Sequence, residues 1–167
     1  MKYCPQCRAD LHLQVLDGVE RLVCLAPECG YVYWNNPTPV VAAIVQVGEH
    51  FILARNTKWP PHWFSMITGF LEYAEQPEEA ILRETQEELG VKGEKAVFLG
   101  HYALPKYNQL IIGYWVQASG QVQLNEELAE VKLLTRQALQ EYDFGRLLIP
   151  ASMTQRLLAL TAGVITE

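Results

Sequence analysis

The sequence has no run of about 18 apolar residues, the length a membrane-spanning helix needs. Its longest apolar stretches, such as Pro39 to Val45, are strand-length. The opening Met1-Lys2-Tyr3-Cys4 lacks the apolar core of a secretory leader, so a cytoplasmic protein without a membrane partner is expected. Positive charge is scarce: 13 Lys and Arg stand against 19 Asp and Glu, for a formal charge of −6. That balance argues against a surface that grips nucleic-acid phosphates directly, and no nucleic-acid partner is expected. Cysteine is absent beyond residue 29. The four that occur form two close pairs, which favours a metal site over disulfides in a chain with no secretory leader. Internal repeats and low-complexity tracts are also missing.

What is present suits one compact domain with a small appendage. The chain has 167 residues, and half of them are apolar, enough for a real core. An acidic protein still binds a phosphorylated substrate when metal ions stand between the two, which requires clustered carboxylates. Residues 1 to about 33 hold the cysteine pairs, and Tyr33-Trp34-Asn35-Asn36-Pro37-Thr38-Pro39 is a turn-rich joint. Val40 to Val47 is a buried-strand pattern, with Phe51 to Ala54 as its hairpin partner across Gly48-Glu49. Residues 56–64 and 68–75 are expected as loops. Pro77 to Leu89 is expected as a helix, with Pro77 at its first position, Glu78 and Glu79 at the positive end of the dipole, and Gly90 at its stop. Val97 to Leu104, Leu110 to Ala118 and Val131 to Leu134 read as strands, and Thr135 to Glu141 and Met153 to Thr161 as helices. This order suggests an α/β sandwich with a mixed sheet.

The helix at 77–89 carries Arg83-Glu84-Thr85-Gln86-Glu87-Glu88. At about 100° per residue, Glu84, Glu87 and Glu88 share an arc of roughly 100°, while Ile81, Leu82, Thr85 and Leu89 form the adjoining core-facing arc. Like charges so close repel, and hard cations such as Mg²⁺ remove that cost. Arg83 precedes Glu87 by four residues and can pair with it. For a bare run of glutamates, a solvated acidic face is the competing reading.

The flanking spacing tells against that reading. Gly69 is followed by five residues and Glu75, then by seven residues and Arg83-Glu84-Thr85-Gln86-Glu87-Glu88-Leu89-Gly90-Val91. This resembles the Nudix box, and every fixed residue matches. The one departure is Thr85 at a position that is usually aliphatic, where its methyl can still pack. The resemblance implies an α/β/α sandwich around a mixed sheet. It also implies hydrolysis of a nucleoside diphosphate linked to a moiety X, releasing a nucleoside monophosphate. It makes Glu84, Glu87 and Glu88 ligands of catalytic Mg or Mn, with one of them as base, and the Gly69 carbonyl a further ligand. Glu75 would support the loop or contact Arg83, and Arg83 joins the catalytic set. Glu126-Glu127-Leu128-Ala129-Glu130 resembles the acidic segment of some members, with Glu127 the chosen carboxylate; a solvated acidic loop is the equal alternative.

Cys4-Pro5-Gln6-Cys7 and Cys24 to Cys29 flank sixteen residues, a pattern that fits a four-thiolate structural zinc site. About 30 residues cannot build a core alone, so metal would supply folding energy. A zinc ribbon over 1–35 before a Nudix domain over 36–167 resembles the NADH pyrophosphatases and a sister group acting on ADP-ribose or FAD. The NADH enzymes carry Ser-Gln-Pro-Trp-Pro-Phe-Pro after the box. This chain has Tyr102 to Gln109 there instead, which favours ADP-ribose or FAD over NADH. The resemblance implies a small nucleotide substrate and allows a homodimer. Loop aromatics Trp59 and Trp63, together with Tyr107, are candidates to stack a base, and Arg55 to touch phosphate; Trp115 and Phe98 are expected to be structural. The alternative to an enzyme is a catalytically silent nucleotide-sensing module, against which the intact Glu84, Glu87 and Glu88 argue.

Overall fold

The structure is a computed structural model that describes residues 1–162; the last five residues of the expected second domain lie outside it. The chain separates into two compact units, Met1–Pro37 and Thr38–Glu167.

The first unit is a three-stranded antiparallel sheet of β1 (Leu11–Leu16), β2 (Val19–Cys24) and β3 (Val32–Tyr33), in that order. Asp17 and Gly18 both have positive φ, 51° and 80°, the backbone a two-residue hairpin of this hand demands. Arg21 stacks its guanidinium 4.7 Å from the Trp34 ring and donates to the Trp34 carbonyl at 3.0 Å. Buried apolar side chains in this unit are confined to Cys4, Val23 and Cys24 among the described residues. Burial that sparse does not offset the chain entropy of 37 residues.

The second unit runs β4 (Thr38–Val47), β5 (His50–Asn56), β6 (Ile67–Phe70), α1 (Pro77–Leu89), β7 (Lys92–Leu104), β8 (Gln109–Ser119), β9 (Leu128–Leu134), α2 (Arg136–Gln140) and α3 (Leu148–Ala162). Its sheet has the order β7-β8-β4-β5-β9, with β6 added to β4. The β4–β8 pair is parallel and the others are antiparallel, so the sheet is mixed, as expected. Strand periodicity divides the apolar residues between two faces. Val41, Ala43 and Val45 of β4 pack with Ile81 and Leu89 of α1. Val40, Ala42 and Ile44 pack with Leu139 of α2 and with Met153 and Leu157 of α3. The result is an α/β/α sandwich.

Several segments depart from expectation: β7, β9 and α3 begin at Lys92, Leu128 and Leu148, ahead of the expected Val97, Val131 and Met153. Ile67 to Phe70 is a strand where a loop was expected from residue 68, because it pairs with β4 from Ala43↔Ile67 to Val40↔Phe70. Phe98, expected to be structural, is 46% exposed, because β7 is an edge strand.

Candidate active site

The helix α1 starts and stops where its sequence dictates. Pro77 opens it, the Glu79 carboxylate reaches back to the Gln76 amide at 3.1 Å, and Gly90 ends it at φ 68° with its amide on the Gln86 carbonyl. Ala80, Ile81, Thr85 and Leu89 are fully buried, which fixes the roll of the helix. Thr85 donates to the Ile81 carbonyl at 2.7 Å, so its hydroxyl is satisfied locally and its methyl fills the aliphatic place. With the apolar face fixed, Glu84, Glu87 and Glu88 are held on the adjoining side.

Arg83 binds four acceptors at once. It grips Glu75 through two hydrogen bonds of 2.8 and 3.0 Å, meets Glu84 at 2.8 Å and Glu87 at 3.0 Å, and donates to the Phe70 carbonyl at 3.1 Å. Glu75 accepts the Glu72 amide as well, at 2.9 Å, and so supports both the loop and Arg83. The Arg83 guanidinium, helped by the Glu72 amide, holds the Glu75 carboxyl down to about 2. Its carboxylate partners raise Arg83 in turn.

Glu88 has the opposite environment. It is 8% exposed, and no ion pair reaches it among the described residues. Burial first, then the charges of Glu84, Glu127 and Glu87, push it up to about 8. Burial also raises Glu84, against the pull of Arg83 and with Glu87 and Glu127 adding to it. Glu75, Glu84 and Glu87 thus share a single guanidinium, while Glu88 and Glu127 add their charge with no ion pair among the described residues. Five carboxylates and one cation leave a surplus of negative charge that hard divalent cations suit.

Gly69 lies against Glu84 in a way that no other residue allows. A Cβ built there would lie 2.0 Å from the Glu84 carboxyl, so only glycine lets β6 approach this side chain. Glu127 comes from a segment tied to the far end of α1. The Gln123 amide donates to the Leu89 carbonyl at 2.8 Å and the Asn125 amide to the Glu88 carbonyl at 3.3 Å. These contacts bring Glu127 to the carboxylates of the helix. Asn125 carries an acceptor two residues before the Glu127 amide, a turn signal legible in sequence but not used. Tyr114 carries no such signal. Its buried hydroxyl donates to Glu78 at 2.9 Å, across 36 residues, and pins the first turn of α1 to the sheet.

Of the expected substrate contacts, Arg55, Trp59 and Trp63 lie on one stretch of chain and Tyr107 on another. Mutual bonds of 2.8 and 2.9 Å between Ala54 and Ser65 close the loop that carries Trp59 and Trp63, and the Thr57 amide donates to the Glu127 carbonyl at 2.8 Å. Trp63 is 46% exposed, and Trp59 is half-buried. Arg55 is already paired with Glu130 at 2.9 Å. Tyr107 is exposed in the short turn Pro105–Tyr107, with the Lys106 ammonium 5.0 Å from its ring. A cleft of about 700 Å³ opens on the opposite sheet face, lined by residues including His50, Lys95, Trp115 and Arg136; it includes none of the box residues.

In the first unit the sulfurs of Cys4, Cys7, Cys24 and Cys29 all lie within 4.8 Å of one another. The closest pairs are Cys4–Cys29 at 3.6 Å and Cys7–Cys24 at 3.4 Å. A tetrahedral zinc with bonds of about 2.3 Å needs sulfurs about 3.8 Å apart, so the cluster fits one.

Comparison with known proteins gives a consistent family. The NUDIX domain matches residues 36–152. The NAD-capped RNA hydrolase NudC of Chromobacterium violaceum is 29% identical over 119 residues, 71% of this chain and 43% of that protein. The human mitochondrial NAD(P)H pyrophosphatase NUDT13 is 27% identical over 110 residues, 65% of this chain and 31% of its own length. This chain therefore spans less than half the length of these curated relatives. Among solved structures, a NUDIX hydrolase from Nitrosomonas europaea superposes with a TM-score of 0.79 at 23% identity, covering 98% of this chain and 94% of that one. No helix among the described residues is long and apolar enough to cross a membrane.

Proposed function

Because this chain belongs to the NUDIX domain family, we propose that it is a divalent-metal-dependent pyrophosphohydrolase that splits the diphosphate of a nucleoside diphosphate joined to a second moiety. One observation carries the reading: three carboxylates bind a single guanidinium, two more, Glu88 and Glu127, add to the same negative field with no ion pair of their own among the described residues, and a glycine that only a close approach explains lies beside them. Glu84, Glu87, Glu88, Glu127 and the Gly69 carbonyl would hold Mg²⁺ or Mn²⁺. Such ions, when bound, neutralise the diphosphate and activate a water for in-line attack on phosphorus. Arg83 positions carboxylates and leaves the substrate alone, since Glu75, Glu84, Glu87 and the Phe70 carbonyl take up its donors. Glu88, buried and lifted to about 8 by its surroundings without metal, is the carboxyl whose charged form bound cations would restore. The loop with Trp59 and Trp63 offers aromatic faces for a base beside Glu127, and Tyr107 is a further candidate.

The relatives' names point to NAD-linked substrates. NADH therefore joins ADP-ribose and FAD at the head of the candidates; all share an ADP half. NAD-capped RNA is the second reading, favoured by the NudC likeness and opposed by the acidic balance of the chain. The four cysteines, over residues 1–35, would carry a structural zinc, and residues 36–167 the hydrolase. A homodimer, which the family resemblance allows, is checked by sedimentation. The substrate assignment is tested by incubating the protein with Mg²⁺ or Mn²⁺ and, separately, ADP-ribose, FAD, NADH, NAD⁺ and an NAD-capped oligonucleotide. The expected result is AMP release from at least one dinucleotide, with turnover ranking the substrates. Cleavage of the capped oligonucleotide alone overturns the small-molecule reading. No cleavage of any, with nucleotide binding retained, supports a sensing module instead.

A further inference from the structure

Glu127 stands outside the carboxylate helix, and its place there has to be built. The last carbonyls of a helix have no partner within it. In α1 the carbonyls of Glu88 and Leu89 take the amides of Asn125 and Gln123, at 3.3 and 2.8 Å. The segment that brings Glu127 is thus the segment that caps the helix. Its next bond turns inward: the Glu127 amide donates to Asn125 Oδ1 at 3.0 Å. The Glu127 carbonyl accepts the Thr57 amide at 2.8 Å, so both backbone groups of Glu127 are fixed. Downstream, Leu128 is 8% exposed and pairs with Asn56, while Glu130 pairs with Arg55. The extra residue between them, Ala129, forms a bulge that restores Leu128 to the core face.

We propose that Asn125 is the positioning residue for Glu127, docking its segment on the end of α1 with its amide and holding the Glu127 backbone with its carboxamide oxygen. This rests on the reading that Glu127 serves the metal site. The residue type fits the task. An acceptor two residues before an amide forms a tight local turn, which alanine cannot do. Aspartate would make the same bond but would add a sixth carboxylate to a cluster already in excess. Asparagine supplies the acceptor without the charge.

The test is a double-mutant cycle of Asn125→Ala and Glu127→Gln in the full chain, with Mn²⁺ binding followed by electron paramagnetic resonance alongside dinucleotide hydrolysis. Asn125→Ala is expected to weaken Mn²⁺ binding and lower kcat by about 10-fold, the scale of lost support behind a metal ligand, while KM changes little. The same change in the Glu127→Gln background should cost nothing further, and Asn125→Asp should recover most of the Mn²⁺ affinity. A merely structural role predicts losses that add in full across the cycle, and that result overturns the proposal. So does an Asn125→Ala protein that matches wild type while Glu127→Gln is impaired. If Glu127→Gln is silent while Glu84→Gln is inactive, the placement of Glu127 falls and this proposal with it, and the hydrolase reading stands.

Discussion

Glu75 and Glu88 are the same residue type thirteen positions apart, with protonation set in opposite directions. Glu75 is held to about 2 by the Arg83 guanidinium; Glu88 is lifted to about 8 by burial and by like charges. The contrast separates a carboxylate fixed in an ion pair from one left without a cation among the described residues. Glu88→Gln is expected to lower turnover by at least about 100-fold, the scale of a lost general base or metal ligand; near-normal turnover would remove Glu88 from the mechanism. Metal-free protein gives an independent readout. A carboxyl whose pKa is raised on folding favours the folded state below its unfolded value and loses that contribution as pH rises through the folded one. The Tm of chelated protein should therefore fall between about pH 4.5 and 8, and Glu88→Gln should flatten that fall. Glu75 contributes with the opposite sign, and its share is lost as pH drops from about 4.5 towards 2. Gly69→Ala is expected to displace Glu84, because the new Cβ would meet its carboxyl. Its signature is activity lost with far-UV circular dichroism retained; full activity would mean that Glu84 can move without consequence.

Helix α1, which carries the proposed metal ligands, is tied down at both ends. Tyr114 holds Glu78 in the first turn, and Gln123 and Asn125 cap the last carbonyls. Tyr114→Phe should cost about 1 kcal/mol, the net worth of a typical hydrogen bond, measured by urea unfolding. A larger loss would indicate that the phenol also sets the packing. The helix limits were legible in sequence because Pro77 and Gly90 are local signals that act over one turn. The strand at Ile67–Phe70 was not, since four residues around a glycine become a strand only through pairing with β4. Glu75 was foreseen as a partner of Arg83 through the box spacing. The Tyr114–Glu78 contact joins residues 36 apart through tertiary packing, which no local pattern records.

At the scale of the whole molecule, the two units differ in what holds them. The second has a core on both sheet faces, with Val41, Ile44, Ile52 and Leu53 fully buried. The first has three buried apolar residues among those described, two of them cysteines. Treatment with a strong chelator is expected to collapse amide dispersion for residues 1–37 in NMR spectra while the signals of the second unit persist; an intact first unit after such treatment would contradict a structural zinc. The mixed sheet followed from the order of strands and helices and the clustering of the carboxylates on one side of α1 from the helical period, whereas the α/β/α layering was what the resemblance to the Nudix box implied. The central claim is that this cluster is a metal-dependent hydrolytic centre, and it is tested most directly by AMP release from a dinucleotide in Mn²⁺, for wild type beside the Glu87→Gln, Glu88→Gln double variant. The account predicts metal-dependent release that the double variant abolishes while keeping its fold; release that is equal in both proteins, or unaffected by chelation, would contradict it.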